Sequence, residues 1–402
     1  MKRLFLSGLI ILWSSLLEAG SFQAPSIGAR ATGMGGAYVA AVDDPLAIYW
    51  NPAGLSQVKG KEIILGCTFI KGYASFRTLT GQLEKNQPEW QPIPNMAFSF
   101  PINETVALGV GFYTPFGLKQ EWSEKSAYRF SATKSTIALS KLHTGVSWQL
   151  CKDFIVGAGI GADWAEIETK QFAIMPLPFL PFFVEGDIKL KGKDQGFSGN
   201  LGFLWLPADK WKLGGVWRSA TKTKFSGDAK LNFPAPVGYS EDNFKLGFTF
   251  PQVISLGISY IPSEKWLFST QVDWTDWSVI KKLDLNFDIN PDQEIARDWE
   301  DTYSFRLGME RKLKENLSLR AGYMWDPSPV PGETLDPLMF DNSVHRFSVG
   351  LGYLFKNWEI SGAYMYSAGI EKKARSSKNA FPTNGDYLGS SHLGEISLAY
   401  HF

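Results

Sequence analysis

From about residue 61 to the end of the chain, apolar and polar residues alternate with a period of two. Successive side chains of a β-strand point to opposite faces, so this period predicts strands rather than helices. In one such segment the apolar positions are Tyr303, Phe305, Leu307 and Met309, and the positions between them are Ser304, Arg306, Gly308 and Glu310. Soluble β-sandwiches alternate in the same way, so alternation alone leaves the fold class open.

The lengths of the connections between strands narrow the fold class. We count about fourteen strands, at 62–77, 90–101, 104–118, 133–150, 154–170, 185–207, 211–233, 243–260, 264–289, 296–312, 316–327, 342–354, 358–374 and 388–402. Short connections of the kind seen at 151–153 alternate with long ones of the kind seen at 171–184. Short turns on one side, long loops on the other and an even strand count are typical of outer-membrane barrels. The predicted fold is therefore all-β, a fourteen-stranded antiparallel transmembrane barrel over residues 61–402.

Composition and the carboxyl end agree with this fold. Lys plus Arg and Asp plus Glu are both 40, and this balance argues against a nucleic-acid binder. The mean hydropathy of −0.12 excludes a polytopic helical membrane protein. Aromatic residues make up 14% of the chain, which suits the aromatic girdles of a barrel. The last strand ends with alternating Ile396, Leu398, Tyr400 and Phe402, as outer-membrane barrels that the barrel assembly machinery recognises commonly do.

The amino terminus has the features of a secretory signal peptide, assigned to residues 1–20. Lys2 and Arg3 precede an apolar stretch from Leu4 to Leu17, and small residues follow. This stretch is shorter than the ~20 residues that a spanning helix needs. Cleavage falls between Glu18 and Ser21, which leaves the mature protein for the Gram-negative outer membrane.

Residues 21–60 do not alternate and are rich in Gly and Ala. Gly33 and Gly35 weakly suggest a dinucleotide-binding loop, but Tyr38 stands where the third glycine is required and no strand precedes them. Small residues favour close approach of two backbones, so we interpret this segment as a plug inside the barrel lumen.

The plug carries a resemblance to a known family. The run from Phe22 to Ala37, with Asp43-Asp44 and Asn51-Pro52-Ala53, resembles the amino-terminal hatch of FadL-type transporters of long-chain fatty acids and aromatic hydrocarbons. Further matching segments are Tyr113–Leu118, Trp217–Ser219, Trp274–Ser278, Leu319–Tyr323 with Asp326 and Pro329, and Phe402. The resemblance implies a fourteen-stranded barrel closed by the hatch. It also implies capture by apolar extracellular loops, binding in the lumen, and release by hatch movement through a wall opening beside a kinked third strand.

The resemblance also assigns roles to individual hatch residues. Asn51, Pro52 and Ala53 correspond to a motif that lies near the wall opening. Phe22 corresponds to a residue near the mature amino terminus that reaches into the lumen pocket. These four are the predicted gate residues.

One predicted extracellular loop is unusually apolar. Pro176, Pro178 and Pro181 should prevent it from forming a ladder strand. An exposed apolar patch usually marks a binding site, so we expect ligand capture here; the alternative is a loop that folds inward and seals the mouth. The predicted capture residues are Ile174, Met175, Leu177, Phe179, Leu180, Phe182 and Phe183.

The third predicted strand contains Gly109 and Gly111, with Pro115 near its outer end. Glycine in a strand permits bulges and proline removes a ladder donor, so this strand is the candidate for a lateral opening. The alternative explanation is barrel curvature or close contact with the plug.

Three arginines alternate onto the small, polar face and should point into the lumen: Arg306, Arg320 and Arg346. Such a cation could hold a fatty-acid carboxylate through charge-assisted hydrogen bonds. The alternative, which we favour, is structural pairing with lumen acids such as Glu310 or Asp273.

Catalysis is the competing class, since some outer-membrane barrels are lipid-modifying enzymes. The four histidines show no metal-binding spacing, and no nucleophile elbow occurs. The acidic run 284–292 lacks the Gly and Glu of a calcium loop. Cys67 and Cys151 suit isolated apolar positions, with a single disulfide as the alternative. We therefore predict a transporter without catalytic, metal or cofactor sites.

The predicted protein is a monomer that moves hydrophobic compounds inward passively. Its expected partners are fatty acids or aromatic hydrocarbons, outer-membrane lipid and lipopolysaccharide, and the barrel assembly machinery, but no nucleic acid. An open diffusion porin is a third possibility, which conflicts with the plug and the apolar loop.

Overall fold

A computed structural model describes residues 22–402 except 127, 177–182, 338 and 380–382. The predicted signal peptide therefore lies outside the described residues. Within the described ranges, no helix combines the length and the apolar character needed to cross a membrane. Cys67 and Cys151 are both free thiols.

Fourteen strands form the wall in the described part of the chain. They are β1 (Glu62–Thr78), β2 (Gln91–Pro101), β3 (Val106–Glu121), β4 (Lys134–Cys151), β5 (Phe154–Pro176), β6 (Phe183–Ala208), β7 (Trp211–Arg218 and Thr221–Asn232), β8 (Tyr239–Phe250 and Val253–Ser263), β9 (Trp266–Thr275 and Lys282–Phe287), β10 (Thr302–Lys314), β11 (Leu317–Asp326), β12 (Val344–Phe355), β13 (Trp358–Gly369) and β14 (Gly385–His401). Three short strands extend the loops: Leu83–Lys85, Gln293–Ala296 and Lys372–Ala374.

Each wall strand pairs antiparallel with its neighbours, and β1 also pairs with β14 along its full length. The sheet is therefore a closed barrel, which leaves no free edge in the membrane. The two ends meet where the Phe402 backbone N–H donates to the Lys61 carbonyl oxygen at 3.0 Å. The predicted all-β fold and its strand number are confirmed.

The two faces of the wall differ as the alternation predicts. On the outer face, Tyr303, Phe305 and Leu307 expose 57%, 50% and 55% of their surface. On the lumen face, the intervening Ser304 and Arg306 are buried. Apolar side chains that would be costly in water suit contact with lipid, so this exterior is that of a membrane barrel.

Several predicted strand limits are wrong. The strands predicted at 211–233, 243–260 and 264–289 are each interrupted, at Ser219, Pro251 and the 3₁₀ turn Trp277–Val279. Residues 297–301 are a connection, and β10 begins only at Thr302. Alternation continues through these breaks, so the pattern alone does not reveal them.

The predicted long loop at 171–184 is also corrected. β5 continues to Pro176 and β6 begins at Phe183, and these two residues pair with each other across the hairpin. The proline does not prevent a ladder here because it stands at the strand end, where the ladder needs no further donor.

The segment before β1, residues 22–60, is called the hatch below. It contains the short helices α1 (Ala29–Gly33) and α2 (Ala47–Trp50) and a 3₁₀ helix, Pro52–Gln57. Most of its residues are buried. Helix α1 contacts β11–β14 and the 3₁₀ helix contacts β2–β6, so the hatch lies inside the barrel.

Candidate functional site

The hatch rests directly on the backbone of the wall. A Cβ added at Gly322 would lie 2.1 Å from the Gly35 nitrogen, and one at Gly157 would lie 2.3 Å from the Ala53 nitrogen. Such close approach of two backbones requires glycine at these wall positions. At four further wall positions, an added Cβ would also lie within 3.1 Å of a hatch atom: Gly202, Gly214, Gly308 and Gly350. These glycines, and the polar wall residues described next, form the hatch seat.

Wall side chains also hold the hatch through its backbone. Gln271 Oε1 accepts hydrogen bonds from the Tyr38 and Val39 backbone nitrogens, each at 2.9 Å. Asn200 Nδ2 donates to the Ile48 carbonyl at 2.7 Å. Arg306 Nη1 donates to the Pro25 carbonyl at 2.6 Å. These bonds satisfy hatch backbone groups, most of which lie outside the short helices.

Glu395 of β14 binds the start of helix α1. Its carboxylate accepts hydrogen bonds from the Gly28 backbone nitrogen at 2.7 Å, from Thr32 Oγ1 at 2.5 Å and from Asn95 Nδ2 at 3.0 Å. The side chain is 1% exposed. This carboxylate therefore fixes the amino-terminal part of the hatch between β14 and β2.

The predicted gate motif lies against β5 and β6. Asn51 Nδ2 donates to the Val39 carbonyl at 3.0 Å and to the Phe203 carbonyl at 2.9 Å. Asn51 Oδ1 accepts from the Ala53 nitrogen at 3.2 Å, which caps the 3₁₀ helix that starts at Pro52. The motif thus folds the hatch locally and joins it to the wall. Its role as a gate stays a prediction.

Phe22 lies at the centre of a group of rings in the lumen, called the aromatic cluster. The side chain is 1% exposed. Its ring centroid lies 4.9–6.0 Å from the centroids of Phe116, Phe248, Phe250, Trp277 and Trp299. Rings at these separations pack favourably in tilted and edge-to-face arrangements. The cluster forms a closely packed apolar interior in the lumen.

The third wall strand leaves the regular ladder beside this cluster. Pairing between β2 and β3 ends at Met96 and Phe112, and a bulge in the pairing with β4 falls between Tyr113 and Phe116. Residues 113–118 are all buried, so the alternation is lost and the strand bends into the lumen. Bulges of this kind bend a strand and terminate pairing.

The amino end of the hatch binds the bent part of β3. The Ala24 nitrogen donates to the Pro115 carbonyl at 2.9 Å, and the Gly117 nitrogen donates to the Phe22 carbonyl at 2.6 Å. Backbone groups of β3 that have left the β2 ladder are thereby satisfied by the hatch.

Gly109 and Gly111 lie just before this bend. Both pair regularly with β2 and β4. An added Cβ would lie 2.6 Å from Leu55 at Gly109 and 2.5 Å from Ile48 at Gly111. Contact with the plug, the alternative explanation, thus has direct support at both positions.

The three arginines of the lumen face are buried and paired. Arg306 Nε donates to Asp273 at 2.5 Å, and Arg320 Nε donates to Glu310 at 2.6 Å. Arg346 Nη2 donates to Asp326 Oδ2, on β11, at 3.0 Å. A ligand carboxylate would have to displace these acids, so head-group binding by the three arginines stays a prediction.

The ion pairs include the hatch. Arg30 of α1 binds Glu310 through Nε at 2.9 Å and Nη2 at 3.1 Å, and it also pairs with Asp43. Glu310 thus joins one hatch arginine to one wall arginine, Arg320.

Four of the seven predicted capture residues, Leu177, Phe179, Leu180 and Phe182, lie outside the described residues. Ile174 and Phe183 are exposed, at 45% and 71%, near the tip of the β5–β6 hairpin, and Met175 is partly buried. The hairpin therefore presents apolar side chains, as the capture prediction requires.

Sequence reasoning identified the third strand as one that could bulge, but it did not find the position of the bulge, the aromatic cluster or the glycines of the seat. Pro115 was the local signal for the bulge, because it cannot donate to a ladder. The cluster unites residues from the hatch, β3, β8, the turn that interrupts β9 and the connection before β10, so no local sequence pattern predicts it.

A closed, lipid-facing barrel with a plug in its lumen is an architecture of outer-membrane transport proteins. A family model described as "Outer membrane protein transport protein (OMPP1/FadL/TodX)" matches residues 10–402. The chain therefore belongs to this family of Gram-negative outer-membrane transporters of hydrophobic compounds. This membership confirms the predicted family, localisation and transport class.

Individual relatives agree with this assignment. A long-chain fatty acid transport protein of Escherichia coli O6:H1 is 24% identical over 400 residues, which cover 89% of this chain and 88% of that protein. A Pseudomonas aeruginosa FadL homologue has a similar fold, with a TM-score of 0.86, 18% identity and coverage of 95% and 100%. The Pseudomonas putida toluene transporter TodX has a TM-score of 0.78, 18% identity and coverage of 94% and 99%.

Proposed function

We propose that the chain takes up long-chain fatty acids by passive diffusion through its lumen. The observation that carries this proposal is the aromatic cluster, a deep apolar interior in the same lumen as the polar hatch seat. The curated relative from Escherichia coli, whose name states long-chain fatty acid transport, supports the same substrate class.

Entry begins at the apolar β5–β6 hairpin, where the exposed Ile174 and Phe183 offer a first contact for a hydrocarbon tail. The ligand then enters the aromatic cluster. Phe22 fills the centre of that cluster, so a bound acyl chain must displace it.

Displacement of Phe22 couples binding to release. The carbonyl of Phe22 and the nitrogen of Ala24 hold the bent part of β3. When the ligand moves Phe22, these two bonds break, and the interrupted ladder between β2 and β3 becomes a passage through the wall. Gly109 and Gly111 let the hatch residues Leu55 and Ile48 lie close to β3 below this passage.

A reversible lock tests the release step. Gln23 and Phe116 form an isolated antiparallel bridge, and opposed positions of this kind have Cβ atoms ~4.5–5.5 Å apart, near disulfide range. In a background lacking Cys67 and Cys151, the variant Gln23→Cys/Phe116→Cys should lose uptake when oxidised and regain it on reduction. Uptake that ignores the lock would contradict release through this gap.

Aromatic hydrocarbons are the competing substrates, because a cluster of rings also suits toluene. Uptake of labelled oleate and of toluene should be compared in cells that carry this chain as their sole channel for such compounds. We expect oleate to enter faster than in cells without the channel. Uptake of toluene alone would reassign the substrate, and uptake of neither would refute the proposal.

A further inference from the structure

Basic and aromatic side chains gather on one part of the outer wall, on β1, β13 and β14. Tyr73, Tyr364 and Tyr366 expose 41%, 44% and 37% of their surface there. Lys71 and His392 lie opposite each other in the pairing of β1 with β14, and His392 also lies opposite Tyr366 of β13. These five residues are called the wall cluster. It faces lipid, whereas the hatch and the aromatic cluster lie inside the barrel.

The members of the wall cluster are arranged around the imidazole of His392. Its ring centroid lies 5.2–6.0 Å from the centroids of three rings, those of Tyr73, Tyr364 and Tyr366. A hydrogen bond of 2.6 Å joins Tyr364 Oη to His392 Nδ1. Lys71 Nζ lies over the ring of Tyr73, 5.6 Å from its centroid. The ammonium and the imidazole therefore have the ring of Tyr73 as a common neighbour.

The wall cluster leaves hydrogen-bond donors open. Among the described residues, Lys71 Nζ has no carboxylate partner and His392 Nε2 has no hydrogen-bond partner. Nε2 carries a hydrogen in the imidazolium, and also in the neutral ring whose Nδ1 accepts the Tyr364 hydroxyl proton. An ammonium beside an imidazole N–H suits an anion, because charge-assisted hydrogen bonds are roughly twice as strong as neutral ones.

The height of the wall cluster on the barrel places it at one membrane surface. In outer-membrane barrels, short turns such as 102–105 lie at the periplasmic rim and long connections such as 327–343 at the extracellular rim. β1 begins at the periplasmic rim, since Glu62 pairs with Ser99 beside the short turn. Lys71 follows Glu62 by nine residues. At ~3.4 Å per residue and a strand tilt of ~40°, Lys71 lies roughly 23 Å higher, near the far edge of an apolar band ~25 Å tall.

The wall cluster therefore meets the head groups of the extracellular leaflet. In a Gram-negative outer membrane this leaflet consists of lipopolysaccharide, whose lipid A carries phosphate groups above its acyl chains. On the periplasmic side of the wall cluster, Phe69 and Ile396 expose 38% and 59% of their surface. A lipid A phosphate at the wall cluster would place acyl chains along these apolar side chains.

A second histidine on the outer wall has the open donor without a neighbouring cation. A hydrogen bond of 2.8 Å joins Tyr323 Oη of β11 to His345 Nδ1 of β12. The residues opposite His345 in the two neighbouring strands are uncharged, namely Trp325 and Ala368. This pair repeats the tyrosine–histidine arrangement but lacks the lysine, so it provides a matched control.

We propose that Lys71 and His392 bind a phosphate group of lipid A on the outer wall of the barrel. Phosphate has several anionic oxygens, so it can accept from Lys71 Nζ and His392 Nε2 at the same time. Tyr364 positions the imidazole through its hydroxyl group, and Tyr73 holds the ammonium by a cation–π contact. Because the site lies outside the lumen, this inference is independent of the compound that the barrel transports.

The test compares diphosphoryl lipid A with the same lipid A after phosphatase treatment, each binding to the full chain in detergent micelles. Native mass spectrometry measures the lipid that the protein retains. We expect the wild type to bind the diphosphoryl form at least about fivefold more tightly. The variant Lys71→Gln/His392→Gln, which keeps the lengths of both side chains similar, should lose this preference and keep its affinity for the dephosphorylated form.

The control variant His345→Gln should keep the preference of the wild type. Tyr364→Phe retains the ring but releases the imidazole, so it should reduce the preference about twofold. The site is overturned if the wild type shows no preference, if the double variant keeps it, or if His345→Gln abolishes it as well. If the double variant does not fold, Lys71→Gln alone decides: a reduced preference supports the site, and an unchanged one overturns it.

Discussion

The aromatic cluster and the hatch seat line the same lumen with opposite chemistry. The cluster consists of rings around Phe22 and offers contacts that depend little on direction. The seat consists of wall glycines and polar wall residues such as Arg306, which pairs with Asp273, and the wall residue Glu310 also binds Arg30 of the hatch. Below it, a polar cavity of about 330 Å³ opens between the hatch and the wall near Glu62.

This difference in chemistry suits the two regions to different roles. A flexible acyl chain has no fixed shape, so an apolar interior can accept it in many arrangements. A plug must return to one position, and hydrogen bonds and backbone contacts define position because they fail when atoms move by an ångström. The cluster therefore suits ligand binding, and the seat suits placement of the hatch.

Among substitutions in the hatch seat, we expect the largest loss of stability at the buried ion pair. Arg306→Ala leaves Asp273 buried without its cation, which we expect to lower the free energy of unfolding by about 3–5 kcal/mol. Arg306→Met/Asp273→Leu removes both charges and should cost much less. Urea unfolding of the barrel in lipid vesicles measures both variants. Equal losses in the single and double variants would show that the pair does not hold the seat, and selective loss of oleate binding in the single variant would support its predicted head-group role.

The second-largest loss of stability is expected at the backbone contacts of the hatch seat. Gly322→Ala places a methyl group 2.1 Å from the Gly35 nitrogen, so the hatch must shift. We expect a loss of about 1–3 kcal/mol in stability and a rise in ion conductance in planar bilayers. Gly394→Ala is the matched control, because a Cβ there meets nothing within 4 Å. Equal conductance in the two variants would argue against this contact as part of the seal.

In the aromatic cluster, we expect a substitution to reduce uptake without weakening ligand binding. Phe22→Ala removes the ring that a ligand has to displace, so oleate should bind at least as tightly as in the wild type. Uptake should fall severalfold, because ligand entry no longer moves the end of the hatch. Phe197→Ala on the lipid-facing side, where the ring is 86% exposed, is the control and should change neither quantity. Weaker oleate binding by Phe22→Ala would assign Phe22 to the binding surface itself.

The smallest effect is expected where an oxygen acceptor survives the substitution. Glu395→Gln keeps one oxygen for Gly28 or Thr32 but loses the charge, so it should cost about 1 kcal/mol. Urea unfolding measures the loss, with Glu185→Gln at the rim of the barrel as a comparison. No loss in Glu395→Gln would mean that Glu395 does not contribute to fixing helix α1.

The two regions also differed in how well the sequence predicted them. Alternation identified the wall, including Arg306, Arg320 and Arg346 on its lumen face, because burial of one face imposes a period of two. It failed at the β5–β6 hairpin, where proline was taken as a strand breaker, and at Trp277–Val279, where a turn interrupts β9. Gly109 and Gly111 drew attention to the correct strand, but the bend lies at Tyr113–Phe116.

The sequence by itself determined a signal-like amino terminus, a fourteen-stranded barrel and a small-residue plug, because each follows from composition or period along the chain. Only the tertiary structure decided that Phe22 joins rings from β3, β8 and the connections beside β9 and β10, and that wall glycines receive the hatch. These features depend on residues far apart in the chain that become neighbours when the sheet closes. Closure of the barrel, rather than any local motif, creates the candidate site.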